Sequence, residues 1–194
     1  MSFPATRWNG PARALDDQAR WEAARRLLHD GTIGTRDRLA GLLVLLYAQP
    51  VARISRLTTS HVTIDNATVT IQLGSTPITL PEPVAGLTSQ LLTGKRGHAT
   101  TGAGQPSPWL FPGGQPGQPI SATHLGQRLK TLGIQPGQAR STALFQLAAE
   151  LPAALLARML GIHITVAVAW QRASAGDWMT YAGSVSRRPT GDPT

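Results

Sequence analysis

Arginine is the residue type through which this chain could do chemistry. Its 194 residues carry 18 Lys and Arg against 10 Asp and Glu, a net charge of +8, and only Lys95 and Lys130 are lysines. Arginine offers a planar fork of donors that fits phosphate oxygens and guanine edges, which an ammonium does not. Arg53 and Arg56 stand three apart and so share a helical face, where phosphate contact and plain solvation are both open to them. Arg140 precedes an apolar helical stretch. The most specific local pattern runs from Leu156 to Trp170. A helix-turn-helix requires a small residue within its first helix, glycine at the turn, an apolar residue after it, and apolar contacts from the second helix. Ala157, Gly161, Ile162, Ala167 and Trp170 fill those places. If the second helix enters a major groove, its polar groups are His163, Thr165, Gln171 and Arg172. If the pair is a buried helical hairpin, as the apolar Ile164, Val166 and Val168 would suit, DNA contacts lie elsewhere.

Other chemistries find little support. The absence of cysteine excludes a disulfide framework, thiolate metal sites and thiol nucleophiles. His29, His61, His98, His124 and His163 are scattered, without the i, i+4 spacing of a helical zinc site. No phosphate-cradling P-loop is present, and no Ser/His/Asp set can be argued from spacing.

The hydrophobic pattern predicts the scaffold that must position these groups. Helices are expected over 16–29, with Trp21, Ala24, Leu27 and Leu28 on one face, and over 35–48, with Thr35 as N-cap and Pro50 as the boundary. The texture then turns β-branched and alternating. Residues 61–64, 67–73 and 76–80, divided by Asp65-Asn66 and Gly74-Ser75, predict an antiparallel meander, and Pro77 places the third strand at an edge. Further helices are expected over 84–93, 121–132 with Ser121 as cap, 141–150, 152–160 with Pro152 in the first turn, and 165–173. A long Gly- and Pro-rich loop over 94–119 is pinned to the core by Trp109-Leu110-Phe111.

The fold class expected is mainly α with a small three-stranded antiparallel β-sheet (α+β). A hydrophobic fraction of 41% suffices for one core, built from Leu, Ala, Val and Ile because aromatics are only 5%. The domain is expected over 16–183, with a flexible arm at 1–15 and a disordered basic tail at 184–194. No run approaches the ~20 apolar residues of a membrane span, and residues 1–9 have no signal-peptide core. A cytoplasmic protein is expected, on the nucleoid if the cell is bacterial.

The order of elements over about 36–181 resembles the catalytic domain of the tyrosine recombinases and phage integrases. Leu45-Leu46-Tyr47-Ala48 resembles the helix end before that family's first catalytic arginine. Leu57-Thr58-Thr59-Ser60-His61-Val62 is similar to the lead-in to its sheet, and Pro119-Ile120-Ser121 to the opening of the next helix. Arg140 with Met159-Leu160-Gly161 resembles its second active-site box. The resemblance implies a site where arginines, a sheet-borne lysine and histidines neutralise one phosphate while a tyrosine attacks it. The transition state gathers charge on the non-bridging oxygens, and the strand must be held covalently between cutting and rejoining.

Carried over residue by residue, that set is depleted here. Pro50 falls where the first arginine is expected, and Arg53 where a glutamate is. The turn 73–76 has no lysine, and Gly137 and Ile162 stand for the two histidines, with His163 one step from the second. Trp170 falls at the tyrosine's place, and Arg140 alone matches. The implied function is binding of double-stranded DNA without strand cleavage, so not an enzyme and with no cofactor or metal. Arg140, Arg53, Arg56, His163, Thr165, Gln171 and Arg172 are the expected nucleic-acid contacts. Two other readings stay open. One is an active recombinase that uses Tyr181 as a displaced nucleophile, against the alternative that Trp178 and Tyr181 pack the C-terminal segment onto the domain. The other is a protein-interaction module or self-associating remnant of a mobile element, since recombinases assemble by passing a C-terminal segment to a neighbour.

Overall fold

Every residue from Leu39 to Leu45 is buried in helix α2 (Thr35–Leu45), and the rest of the chain is arranged around that helix. A helix apolar on all sides has no face to give to water and must sit inside. In this computed structural model, residues 17–66, 68–99 and 107–186 are described, with side-chain surroundings over 18–66, 68–94 and 107–175. Helices α1 (Asp17–His29), α3 (Val51–Ile54), α4 (Val84–Ala99), α5 (Ala122–Thr131) and α6 (Pro136–Glu150) all pack on α2. Gly41 allows a close approach to α1: a Cβ there would lie 2.5 Å from Leu27 Cδ1, and 3.1 Å from Ile134 Cδ1 in the segment between α5 and α6.

The sheet is the expected meander. Strand β1 (Val62–Asp65) pairs antiparallel with β2 (Thr68–Ile71), and β2 with β3 (Ile78–Thr79), in the order β1-β2-β3. Val62 stands opposite Ile71, and Ile71 opposite Ile78. Asn66 turns the first hairpin at φ 52°, a left-handed conformation that asparagine tolerates. Val69, Ile71 and Ile78 are buried, and β2 packs on α4. The long loop is pinned as expected, with Leu110 and Phe111 fully buried and Trp109 half-buried. It is also stitched to the residues just ahead of the sheet: Leu110 N donates to Leu57 O (2.7 Å) and Thr59 N to Pro108 O (2.8 Å).

A second apolar cluster lies under α6, α7 (Ala153–Leu160) and α8 (Ile164–Ser186), built on Leu144, Leu156, Leu160, Ala167 and Trp170. Ala48, just past α2, belongs to this cluster, while α2 itself belongs to the main one. The segment after α2 is therefore the seam between them.

Several boundaries differ from expectation. Helix α2 stops at Leu45, not at 48, because Ala48 takes φ 51° and Gln49 N turns back to Leu43 O (3.0 Å). Its N-cap is Gly34 and not Thr35. On α1, Ala24 and Leu27 face inward as expected, but Arg20 joins them in place of Trp21 and donates to Leu45 O (2.8 Å), which satisfies a free carbonyl at the end of α2. Trp21 is left half-exposed beside it, 4.5 Å from the guanidinium. Helix α6 begins at Pro136, five residues before the expected start, since proline suits a first turn. Pro152 is the N-cap of α7 and not its first residue. Helix α4 continues to Ala99, and α8 continues to Ser186 with no proline before Pro189, so residues 184–186 of the expected tail are helical. Residues 1–16 and 187–194, with most of the expected arm and tail, lie outside the described residues. Among the described residues, no helix is long and apolar enough to cross a membrane.

Candidate nucleic-acid interface

The last carbonyls of a helix have no partner within it. Those of α7 are met from two directions. From the sheet side, the turn after β2 brings Ser75 N (2.9 Å) and Thr76 N (3.3 Å) to Arg158 O. From α3, Arg53 Nη1 donates to Leu160 O (3.0 Å) and Gly161 O (2.9 Å). Gln49, buried in the seam, adds a long contact from Nε2 to Leu160 O (3.4 Å) and a shorter one to Tyr47 O (3.1 Å). Two glycines make this junction possible. A Cβ on Gly74 would meet Arg158 O at 2.0 Å, and a Cβ on Gly161 would meet both Arg53 Nη atoms at 2.5 Å. Gly161 also turns at φ 63°, where glycine carries no steric penalty.

Beside this junction opens a cleft of about 520 Å³, lined in part by Arg53, Arg56, Ser60, His61, Gln72 and Gly74. Arg53 Nη2 and Nε make no hydrogen bond among the described residues, so half of its fork stays available. Arg56 is exposed. His61 is oriented by the turn before the sheet: its Nδ1 accepts the Thr58 N–H (3.1 Å) and lies 2.6 Å from Thr58 Oγ1. Assigned from that network, Nδ1 is the bare nitrogen and Nε2 carries the hydrogen. Thr58 Oγ1 lies in turn 2.7 Å from Ser60 Oγ. Among the described residues that line the cleft there is no carboxylate. It can offer an anion several donors and two full positive charges.

The expected contact residues are distributed unevenly. Arg53 and Arg56 share the cleft. Arg140, on α6, is half-buried and donates Nε to Ala48 O (3.0 Å), so it braces the seam and is not among the cleft's lining residues. Burial pushes its pKa down from the ordinary value, yet arginine remains charged at neutral pH. His163 and Thr165 are exposed and tied to each other: His163 Nδ1 accepts the Thr165 N–H (3.3 Å) and lies 2.7 Å from Thr165 Oγ1, an N-cap for α8. Arg172 is exposed on α8. Gln171 is half-buried, its Nε2 reaching Leu151 O at 3.5 Å, which turns it toward the end of α6. Pro50 carries no charge and only caps α3; the cation in this region is Arg53, a turn further on.

Sequence reasoning missed His61, Ser60, Gln72 and Gln49. The available signal was a run of polar side chains, 58–61, that begins two residues after Arg56. Among the described residues, no three His, Cys, Asp or Glu side chains group together as a metal site.

No protein-family model matches the sequence. No curated protein matches it either. Solved structures do match in shape. The chain superposes on XerA recombinase with TM-score 0.61 at 12% identity, covering 93% of this chain and 66% of that one. For XerH site-specific recombinase bound to its difH substrate the TM-score is 0.61 at 14% identity, covering 84% and 51%. For the Tn1549 transposon integrase in complex with circular intermediate DNA it is 0.57 at 15% identity, covering 81% and 62%. This chain therefore spans between half and two thirds of the length of those proteins. Among the described residues, eight α-helices and a three-stranded meander in this order give the chain a fold like that of the tyrosine recombinase and integrase catalytic domain.

Proposed function

We propose that this chain binds duplex DNA through its phosphate backbone and does not cut it. One observation carries the reading: Arg53, Arg56, His61 and Gln72 line one carboxylate-free cleft at the junction of α3, the β2–β3 turn and α7. Phosphate contacts supply the sequence-independent part of DNA affinity, and a chain of net charge +8 is suited to make them. Arg140 acts by bracing the seam behind the cleft, and His163, Thr165 and Arg172 lie on the exposed start and outer side of α8. Gln171 contributes least, being turned toward α6.

Among the described residues that line the cleft there is no tyrosine to serve as a nucleophile. Trp170 is buried and is an indole. Tyr47 is partly buried, and burial pushes its phenol up to about 12, which disfavours the phenolate. Tyr181 falls 17 residues beyond Ile164 in α8, about 26 Å along a helix axis; its side chain lies outside the described residues. The turn after β2 offers no ammonium, and Gly74 has no room for a side chain of any kind.

The test is a salt titration of duplex binding by the wild type and Arg56→Ala, a variant that leaves the Arg53 junction untouched. Binding should weaken steeply with salt, and Arg56→Ala should weaken binding to unrelated sequences alike and reduce the log–log slope by about 0.9. Absence of binding at ~50 mM salt, or an unchanged slope in the variant, would overturn the reading.

A further inference from the structure

The start of α8 carries a feature that phosphate binding does not use. Every residue from His163 to Val166 is exposed, including Ile164 at 44% and Val166 at 40%. Farther along, Ala167, Trp170 and Ser174 turn inward, so the outer stripe is Thr165, Ala169 and Arg172. Ile164 and Val166 each stand about 100° around the helix from Thr165, one on either flank of that stripe. Two branched apolar side chains thus project into water where the helix leaves the core.

Their surroundings argue for a polyanion as the partner. From Ala153 to Ala175 the chain holds Arg158, His163 and Arg172 and no carboxylate. The turn just before α8 touches the cleft, since the Arg53 guanidinium lies against Gly161. A backbone phosphate held at Arg53 and Arg56 would therefore bring the duplex alongside the first turn of α8. A helix fits the major groove, and the apolar group displayed there is the 5-methyl of thymine.

We propose that Ile164 and Val166 read thymine methyl groups, giving this chain a preference for A·T-containing sites. The inference rests on the DNA-binding reading and adds base preference to it. His163, by capping α8, positions the two side chains without itself needing to touch a base.

The experiment compares one A·T-rich duplex made with thymine against the same duplex made with uracil, which lacks only the methyl. The full chain should bind the uracil duplex more weakly, by about fourfold for each methyl taken out of contact, the value for one buried methyl-sized group. The double variant Ile164→Ser, Val166→Ser removes the methyl groups of both side chains, and should bind both duplexes equally with an unchanged salt slope. Equal binding of both duplexes by the wild type, or full discrimination by the variant, overturns the proposal while leaving phosphate binding in place. Binding of neither duplex overturns the DNA-binding reading as well. Should the double variant fail to fold, the wild-type thymine-to-uracil ratio still decides.

Discussion

At the scale of single residues, the junction depends on two glycines for different reasons. Gly74 faces the Arg158 carbonyl, so an added Cβ meets backbone at 2.0 Å and the hairpin turn must move. Gly161 faces the end of a side chain, Arg53, which can swing away, but its φ of 63° penalises any other residue. Gly74→Ala should therefore lower stability by about 1–3 kcal/mol, as overpacking does. Gly161→Ala should cost the ~1–2 kcal/mol of left-handed strain plus the Arg53 hydrogen bonds. Urea melts of Gly161→Ala in wild-type and Arg53→Ala backgrounds separate the two parts. The Gly161 penalty should be smaller where Arg53 is already gone, and a strictly additive pair would refute the clamp. Arg53 is thus both a structural ligand of α7 and a candidate phosphate ligand. Sequence spacing showed its helical face and could not show that half of its fork was committed to carbonyls 107 residues away.

At the scale of elements, the length of α8 bears on the proposed absence of strand cleavage. Its run to Ser186 sets Tyr181 17 residues beyond Ile164, about 26 Å along a helix axis, whereas a strand-cutting tyrosine must lie in line with the held phosphate. A suicide duplex carrying a nick beside a candidate scissile phosphate should trap no covalent adduct, as read on a denaturing gel. An adduct abolished by Tyr181→Phe would establish the displaced-nucleophile alternative. Helix α6 shows how a boundary error moves a site residue. With α6 starting at Pro136, Arg140 lies within its second turn and is held against Ala48, not free in a preceding loop. The clue was Pro136 itself, a residue that begins helices as readily as it ends them.

At the scale of the whole molecule, charge and fold act at different ranges. On the proposed reading, the excess of 18 cations over 10 anions would guide a polyanion toward the surface before any contact forms. The association rate with duplex should thus fall with ionic strength in Arg56→Ala as it does in the wild type, while the variant's dissociation is faster. A stopped-flow measurement in which Arg56→Ala alone abolished the salt dependence of association would refute steering by the whole charge. The chain's own residues determined a good deal unaided. The meander was legible because β-branched alternation and turn residues act over a few neighbours, although Asp65 pairs with Thr68 in β1 so that the turn falls at Asn66, and Pro77 stands just ahead of the edge strand β3. The buried run of α2 was legible because a helix with no polar face has one place to go. Only tertiary structure decided that Arg20 and not Trp21 turns inward, that His61 joins Arg53 and Arg56, and that Gly74 meets α7. The reason is physical: the free carbonyls at the ends of α2 and α7 are local to their helices, but the groups that satisfy them arrive from distant segments, and a sequence pattern of short period carries no record of such meetings.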